Sequence, residues 1–314
     1  MNEYDINLEN ERLDNLRMNY NKIHYNGLEN CFNVDEYFES LKDYSRFSEP
    51  KDKSKRYARE KLNITPFSIM KLKVKAKFDK RSEEKLNEIN NKLSLLENEY
   101  YEDHLKNVEF LRNRFYSSQN KHNEKIEIQK NRYIAKDSEV VLEVFEEILR
   151  SDDYSLNLEE RYRINTSCYE YDSENSTLKY IYRIPNVNEI CYVQSVSINN
   201  RTRKIKENLY TIKERQSLYK QIVKKILLRT FALIFRADTG NVVDNIEVIG
   251  VIYDLNDISG ESQKKVAKCK VSKKQIFGLE RIDVFDIEEI FSQFGLVMSS
   301  NICANSFYEI KEII

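Results

Sequence analysis

Residues 81–134 contain neither glycine nor proline, and this stretch restricts the possible architecture more than any other part of the chain. Apolar residues recur there three and four positions apart, which places them on one face of an α-helix. At about 1.5 Å per residue, an unbroken helix over this range is roughly 80 Å long. A helix of that length cannot bury an apolar face by itself, so it needs a partner. This face, the seam, consists of Leu86, Ile89, Leu93, Leu96, Tyr100, His104, Val108, Leu111 and Phe115.

The spacing of the seam is a heptad repeat with a stutter at His104, and it predicts a coiled coil. One possible partner is an N-terminal helix that folds back in the same chain, and the other is a second subunit. Because the N-terminal helix is too short to cover the whole seam, we expect a homo-oligomer, with a C2 dimer as the commonest closed form. The N-terminal helix is indicated by the spacing of Leu13, Leu16, Tyr20 and Ile23.

The second half of the chain consists of short apolar runs separated by polar turns, which is typical of a compact α+β domain. We therefore predict a helical segment with a basic linker (1–80), a long coiled-coil helix (81–135) and a domain of mixed antiparallel sheet and helices (136–314). The predicted strands are 162–171, 177–184, 190–198, 204–210, 242–253 and 264–271. The predicted helices are 140–148, 212–237 and 287–294.

Charge is unevenly distributed, although the formal net charge is only −1. Residues 1–40 hold nine acids and three bases, whereas residues 42–81 hold fourteen bases and five acids. In the alternating stretch from Lys71 to Phe78, a strand would place the lysines on one face and a helix would spread them. We predict that two basic patches contact DNA phosphates, which supply affinity without sequence specificity. They are Lys71, Lys73, Lys75 and Lys77, and, around a predicted turn, Arg201, Arg203, Lys204 and Lys206.

Composition argues against several classes of protein. The chain has only 6 glycines and contains neither G-x-G-x-x-G nor G-x-x-x-x-G-K-[ST], so we expect no nucleotide cofactor. Its 5 cysteines form no C-x-x-C pair, which is typical of reduced thiols in the cytoplasm. There is no long apolar run, and we expect neither a signal peptide nor a membrane helix.

A metal-dependent nuclease with a cryptic site is the sharpest alternative, because such a site needs two or three carboxylates and a lysine around Mg²⁺. Glu309 and Lys311 have the E-x-K spacing, with Asp283 and Asp286 upstream, but no Pro-Asp pair occurs. We therefore predict no catalytic residue and no metal site. Turn or solvated positions are expected for the other acids, namely Asp172 with Glu174 and Asp244 with Glu247, and surface or seam positions are expected for His24, His104 and His122.

The segment Leu228–Asp238, LRTFALIFRAD, resembles the "LRT…ELFEAD" helix of bacterial Mrr-like restriction endonucleases. In that family a coiled coil and an α+β module precede a PD-(D/E)XK nuclease. Arg236 departs from the family, which often has Glu at this position. Further similar segments occur in family order: Val34-Asp35 with Phe47 and Pro50, Tyr180 to Pro185, Gly250-Val251, Tyr253-Asp254, Ser259-Gly260 and Cys269.

This resemblance implies an accessory, non-catalytic component of a bacterial restriction or anti-phage defence system. The residues up to Ile314 resemble only the region before the nuclease domain, so the resemblance does not imply cleavage. The implied partners are DNA and a separately encoded nuclease or other effector. Arg229 and Asp238 either fix the helix and its end or recognise a partner. A structural coiled-coil scaffold is a further alternative.

Overall fold

The chain divides into two compact units in the structure, which is a computed structural model. The sheet unit combines Met1–Ser40 with Glu127–Ile314, and the arm unit consists of Leu41–Ile126. The division into 1–80, 81–135 and 136–314 stays a prediction. The residues that the structure describes are 3–24, 32–151, 167–187, 190, 192–199, 201–202, 204–253, 263–279, 286–299 and 302.

Helices dominate the first half of the chain, and strands appear only in the second half of the described residues. The helices are α1 (Glu3–Lys22), α2 (Val34–Leu41), α3 (Ser54–Lys61), α4 (Pro66–Ala76), α5 (Lys80–Ile134), α6 (Ser138–Ser151), α7 (Ile212–Ala237), α8 (Lys273–Phe277) and α9 (Ile287–Gln293). The strands are β1 (Ser167–Asp172), β2 (Thr177–Arg183), β3 (Val193–Ile198), β4 (Ile205–Leu209), β5 (Asn245–Tyr253), β6 (Gln263–Ser272) and β7 (Val297–Met298). The predicted α+β class is confirmed, while residues 162–166 of the first predicted strand lie outside the described residues.

The long helix predicted from the absence of glycine and proline is confirmed as α5. All the seam residues are partly or fully buried, and Leu93 and Val108 are only 7% and 3% exposed. Beyond Phe115 the protected positions follow at Gln119 and Asn123, in steps of four residues. Consecutive four-residue steps depart from a heptad, so the stripe shifts gradually around the helix.

Within the arm unit, the segment before α3 covers the second half of the seam. It runs antiparallel to α5, because its successive residues contact earlier and earlier positions of that helix. Over this half of the seam, the covering part of the described chain is thus an extended segment and not a helix, and the predicted homo-oligomer stays a prediction. The contacts are Asp43 with Asn123 (2.8 Å), Ser45 with Gln119 (2.9 Å), Phe47 with Phe115 (5.8 Å between ring centres) and Glu49 with Arg112 (3.1 Å).

The alternating lysine stretch belongs to α4, so of its two interpretations the helix is correct and the strand is wrong. The local sequence starts this helix strongly. Thr65 accepts a hydrogen bond from the Ser68 backbone N–H, Ser68 accepts one from the Thr65 backbone N–H, and Pro66 occupies the first turn. A capping box followed by proline fixes the helix start, and it overrides the period-two pattern further along.

The main sheet of the sheet unit has the order β1-β2-β5-β6-β7. Strands β2 and β5 are parallel, and the other neighbours are antiparallel. A parallel pair requires a long crossover connection, and the chain between these strands includes α7. The sheet is therefore mixed, whereas the sequence pattern indicated antiparallel pairing.

Helix α7 forms the centre of the sheet unit. It begins with a capping box between Thr211 and Glu214, and every residue from Ile226 to Phe235 is buried. A helix that is buried on all sides over this length belongs to a core and not to a surface. Helices α6, α8 and α9 contact it.

A separate hairpin of β3 and β4 packs against α1. The amide side chain of Asn10 donates to the Val196 carbonyl (3.1 Å) and accepts from the Val196 N–H (2.8 Å). The helix that was a possible fold-back partner for α5 is thus engaged with this hairpin. Its predicted apolar face is confirmed, since Leu13, Leu16, Tyr20 and Ile23 are all buried.

Candidate nucleic-acid interface

The face of α4 that points to solvent carries a stripe of large apolar side chains. Phe67, Met70 and Val74 recur three and four positions apart and share one side of the helix, and Phe78 follows in the turn just after its end. They are 71%, 62%, 55% and 87% exposed, whereas Ile69, Leu72 and Ala76 on the opposite side are half-buried. An exposed apolar stripe of this kind marks an interaction surface more often than scattered apolar residues do.

The four predicted lysines lie on both sides of this stripe, and all of them are exposed. At roughly 100° per residue, Phe67, Met70 and Val74 span an arc of about 60°. Lys71 and Lys75 lie roughly 40° and 80° outside one edge of that arc, and Lys73 lies roughly 60° outside the other edge. Lys77 caps the helix. The helical conformation therefore does not scatter the lysines, because it arranges them as two rows that frame the stripe. We call the eight residues together the framed face.

Helix α4 itself contributes no acidic residue to the framed face. The next acid along the chain, Asp79, is bound to the start of α5. Its carboxylate accepts from the Ser82 hydroxyl (2.6 Å), and this hydrogen bond lowers the pKa of Asp79 below its usual range. The framed face is therefore cationic around an apolar centre, with Asp79 adjoining one end, where the charge of Lys75 also lowers the pKa of Asp79.

The second predicted basic patch lies at the β3–β4 turn. Arg201, Lys204 and Lys206 are exposed, and Arg203 lies outside the described residues. The turn is held by Asn199, whose side-chain oxygen accepts from two backbone N–H groups, those of Arg201 (3.0 Å) and Thr202 (3.1 Å). This patch has a well-defined turn and an exposed aliphatic side chain, that of Ile205 (48%), but residues 199–206 include no aromatic residue.

Asp238 ends α7 and is buried, its side chain being 0% exposed. Its carboxylate accepts hydrogen bonds from four groups. These are the Tyr133 hydroxyl (2.7 Å), the backbone N–H groups of Val242 and Val243 (both 2.9 Å), and the Lys273 ammonium (3.2 Å). A buried carboxylate with this many donors is fully satisfied and holds the loop after α7 in place.

Arg229 is buried as well, and its guanidinium donates to the backbone carbonyl of Ile23 (3.3 Å). Of the two interpretations of Arg229 and Asp238, their surroundings favour the structural one. Both side chains lie in the interior of the sheet unit, where a macromolecular partner has no access to them.

The acids considered for a metal site are dispersed where the structure describes them. Asp172 accepts from Asn175 in a turn, which lowers the pKa of Asp172, and Glu247 pairs with Lys268 (3.1 Å). Asp286 begins α9. Within the described ranges, no three His, Cys, Asp or Glu side chains gather as a metal site would require. Asp283, Glu309 and Lys311 lie outside these ranges.

The described thiols are poor nucleophiles. Burial raises the pKa of Cys168 and of Cys269 to about 12, and Cys269 is only 1% exposed. The thiolate is the reactive form, so such side chains are inert at neutral pH.

None of the described helices combines the length and the apolar composition that crossing a bilayer requires.

Comparisons with family models, with curated proteins and with solved structures find no match for the chain. The resemblance to Mrr-like proteins therefore stays a prediction, and the geometry of the described residues is the basis for a proposal about function.

The sequence predicted the lysines of the framed face, but its apolar residues were missed. Their spacing of three, four and four positions was the signal that could have identified them.

Proposed function

We propose that this protein is a non-catalytic, nucleic-acid-binding component of a bacterial restriction or anti-phage defence system, and that it binds through the framed face of α4. The observation that carries the proposal is the set of four exposed lysines, Lys71, Lys73, Lys75 and Lys77, on helix α4 and its C-cap, which contain no acid. Because the chain as a whole is nearly neutral, a local patch of this kind must supply any attraction to phosphates.

Binding of this kind has a measurable electrostatic signature. Each phosphate that a lysine neutralises releases counterions, so the logarithm of the affinity falls linearly with the logarithm of salt concentration. Four contacts correspond to a slope of about −3 to −4. The second patch, with Arg201, Lys204 and Lys206, would add to this slope if it bound the same strand.

The test is a titration of labelled DNA with the full chain at about 50 mM and about 200 mM salt. Replacing the four α4 lysines with glutamine should weaken binding and reduce the salt slope by up to about 4, roughly one for each lost contact. A matched control variant replaces four other exposed lysines with glutamine, namely Lys121, Lys125, Lys265 and Lys274. Binding that ignores salt, or that falls equally in both variants, would contradict the proposal.

The non-catalytic part and the defence context have their own tests. Incubation with plasmid DNA and Mg²⁺ or Mn²⁺ should give no cleavage, and cleavage that disappears on changing Asp283, Glu309 or Lys311 would establish the metal-nuclease alternative. A chain that binds no nucleic acid but self-associates would support the scaffold alternative. A neighbouring gene for a nuclease, an ATPase or a nucleotide sensor would support a separately encoded effector.

A further inference from the structure

We propose that the framed face takes single-stranded nucleic acid, with bases stacked on its apolar stripe and phosphates bound by its lysines. This inference rests on the proposed nucleic-acid function and names the class of ligand. It starts from the exposure of two phenylalanines, Phe67 at 71% and Phe78 at 87%, at the two ends of the stripe. They lie among four lysines, and aromatic side chains interleaved with cations are the elements that single-strand sites use.

A duplex does not suit the centre of this face. Double-stranded DNA presents phosphates outward and keeps the faces of its bases stacked inside, so it would meet the lysines but offer no flat surface to the phenylalanines. A single strand exposes both its phosphates and the faces of its bases. Stacking of a base on an aromatic ring is favourable and tolerates any sequence, because every base has a π-face.

The size of the stripe fits a short stretch of strand. Helix α4 extends over eleven residues from Pro66 to Ala76, which corresponds to about 16 Å, and Phe78 lies just beyond its end. At roughly 3.4 Å per nucleotide, a stacked strand covers this length with about five nucleotides. The lysine rows lie on both sides of the stripe, so the backbone meets cations whichever edge it follows.

A second copy of the chain is a poor occupant of the same surface. A symmetric pairing of two stripes would bring the lysines beside one stripe close to those beside the other, and like charges at an interface are unfavourable. Nucleic acid removes this repulsion, because its phosphates have the complementary charge.

The experiment compares an oligothymidylate of about twenty nucleotides with a mixed-sequence duplex of the same length. The full chain should bind the oligothymidylate more tightly than the duplex. Changing both Phe67→Ala and Phe78→Ala should lower its affinity for the oligothymidylate by about tenfold or more, with an unchanged salt slope. The matched control is Leu95→Ala on α5, where the leucine is 70% exposed and lies outside the framed face. Because all three side chains are exposed, circular dichroism should give the same melting temperature for every variant.

The outcomes separate this inference from the proposed function. The single-strand inference would be overturned if both probes bound equally, if the two phenylalanine-to-alanine changes left this binding unaffected, and if the four lysine-to-glutamine changes abolished it. The proposed function would then remain intact. No binding of either probe would overturn both. Light scattering on the same variants provides an independent test, because a dimer that becomes monomeric when the phenylalanines are removed would show that the stripe holds a second copy.

Discussion

The hydroxyl of Tyr133 donates a 2.7 Å hydrogen bond to the carboxylate of Asp238, across 105 positions of sequence. Tyr133 lies near the end of α5 and is 0% exposed, and Asp238 ends α7. Burial, reinforced by the negative charge of Asp238, raises the pKa of Tyr133 far above its ordinary value, so the hydroxyl stays protonated and donates. The bond thus joins the end of the long helix to the central helix of the sheet unit.

Removing this hydroxyl should destabilise the fold. Hydrogen bonds to charged groups contribute about 1.5–3 kcal/mol, and a buried carboxylate that loses a donor remains buried. We therefore expect Tyr133→Phe to lower the free energy of unfolding by about that amount in a urea titration. Tyr116→Phe is the control, because Tyr116 is on the same helix and 41% exposed, and it should change the free energy little. Equal values for the two variants would mean that the Tyr133 bond does not contribute.

Gly240 provides a second test of the same region. A Cβ atom at this position would lie 2.9 Å from the ring of Tyr133, and that ring is buried and unable to move freely. Gly240→Ala should therefore lower the free energy of unfolding by about 1–3 kcal/mol through overpacking. In a Tyr133→Leu background the ring is absent and the added cost of the alanine should largely disappear. The same cost in both backgrounds would exclude the steric explanation.

The reactivity of Cys269 should depend on pH in a defined direction. Burial raises its pKa to about 12, so the neutral thiol is favoured in the folded state. The raised pKa means that the neutral thiol contributes to the stability of the folded state. This contribution to the free energy of unfolding is complete below the pKa of an unfolded thiol, near 8.5, and is lost as pH rises towards 12. At pH near 8, the raised pKa and the shielding of a thiol that is 1% exposed should together make alkylation of Cys269 about a thousandfold or more slower in the native protein than in urea.

Mass spectrometry of peptides after iodoacetamide treatment measures this rate for each cysteine separately. Native alkylation should accelerate about tenfold for each unit of pH, as expected for a thiolate reaction below the pKa. Native and urea-denatured rates that agree near neutral pH would contradict the raised pKa.

Local signals in the sequence were sufficient for the main helices. The absence of breakers predicted α5, and α7 begins and ends at the predicted residues because Thr211 and Asp238 mark its two ends. The lysine stretch was ambiguous, since eight residues of period-two alternation fit a strand until the Thr65 cap is considered. Contacts between residues far apart in the chain could not be predicted from local sequence patterns. The parallel pairing of β2 with β5 and the bond between Tyr133 and Asp238 depend on residues brought together only by the whole fold.

The seam should be sensitive to substitution even though part of it is covered by an extended segment. Leu93 is 7% exposed, so Leu93→Ala should lower the free energy of unfolding of the arm unit by about 2–3 kcal/mol. Leu95 lies two positions away on the same helix and is 70% exposed, and Leu95→Ala should stay within about 0.5 kcal/mol of the unaltered chain. Similar losses for both variants in urea unfolding would contradict the assignment of the buried face.

The framed face should also depend on the cap of α4. Thr65 accepts a 3.1 Å hydrogen bond from the Ser68 backbone N–H, and α4 contains no buried residue that would hold it independently. Loss of an N-cap side chain costs about 1 kcal/mol, which corresponds to roughly a fivefold change in the helix–coil equilibrium. Thr65→Ala should therefore reduce amide hydrogen-exchange protection over residues 67–76 by about fivefold, while Thr65→Ser, which keeps the hydroxyl, should preserve it. Because a frayed helix no longer places Lys71 and Lys77 beside the apolar stripe, oligonucleotide affinity should fall with Thr65→Ala and remain with Thr65→Ser. If Thr65→Ala lowered hydrogen-exchange protection but left oligonucleotide affinity unchanged, binding would not depend on the helical arrangement of the lysines.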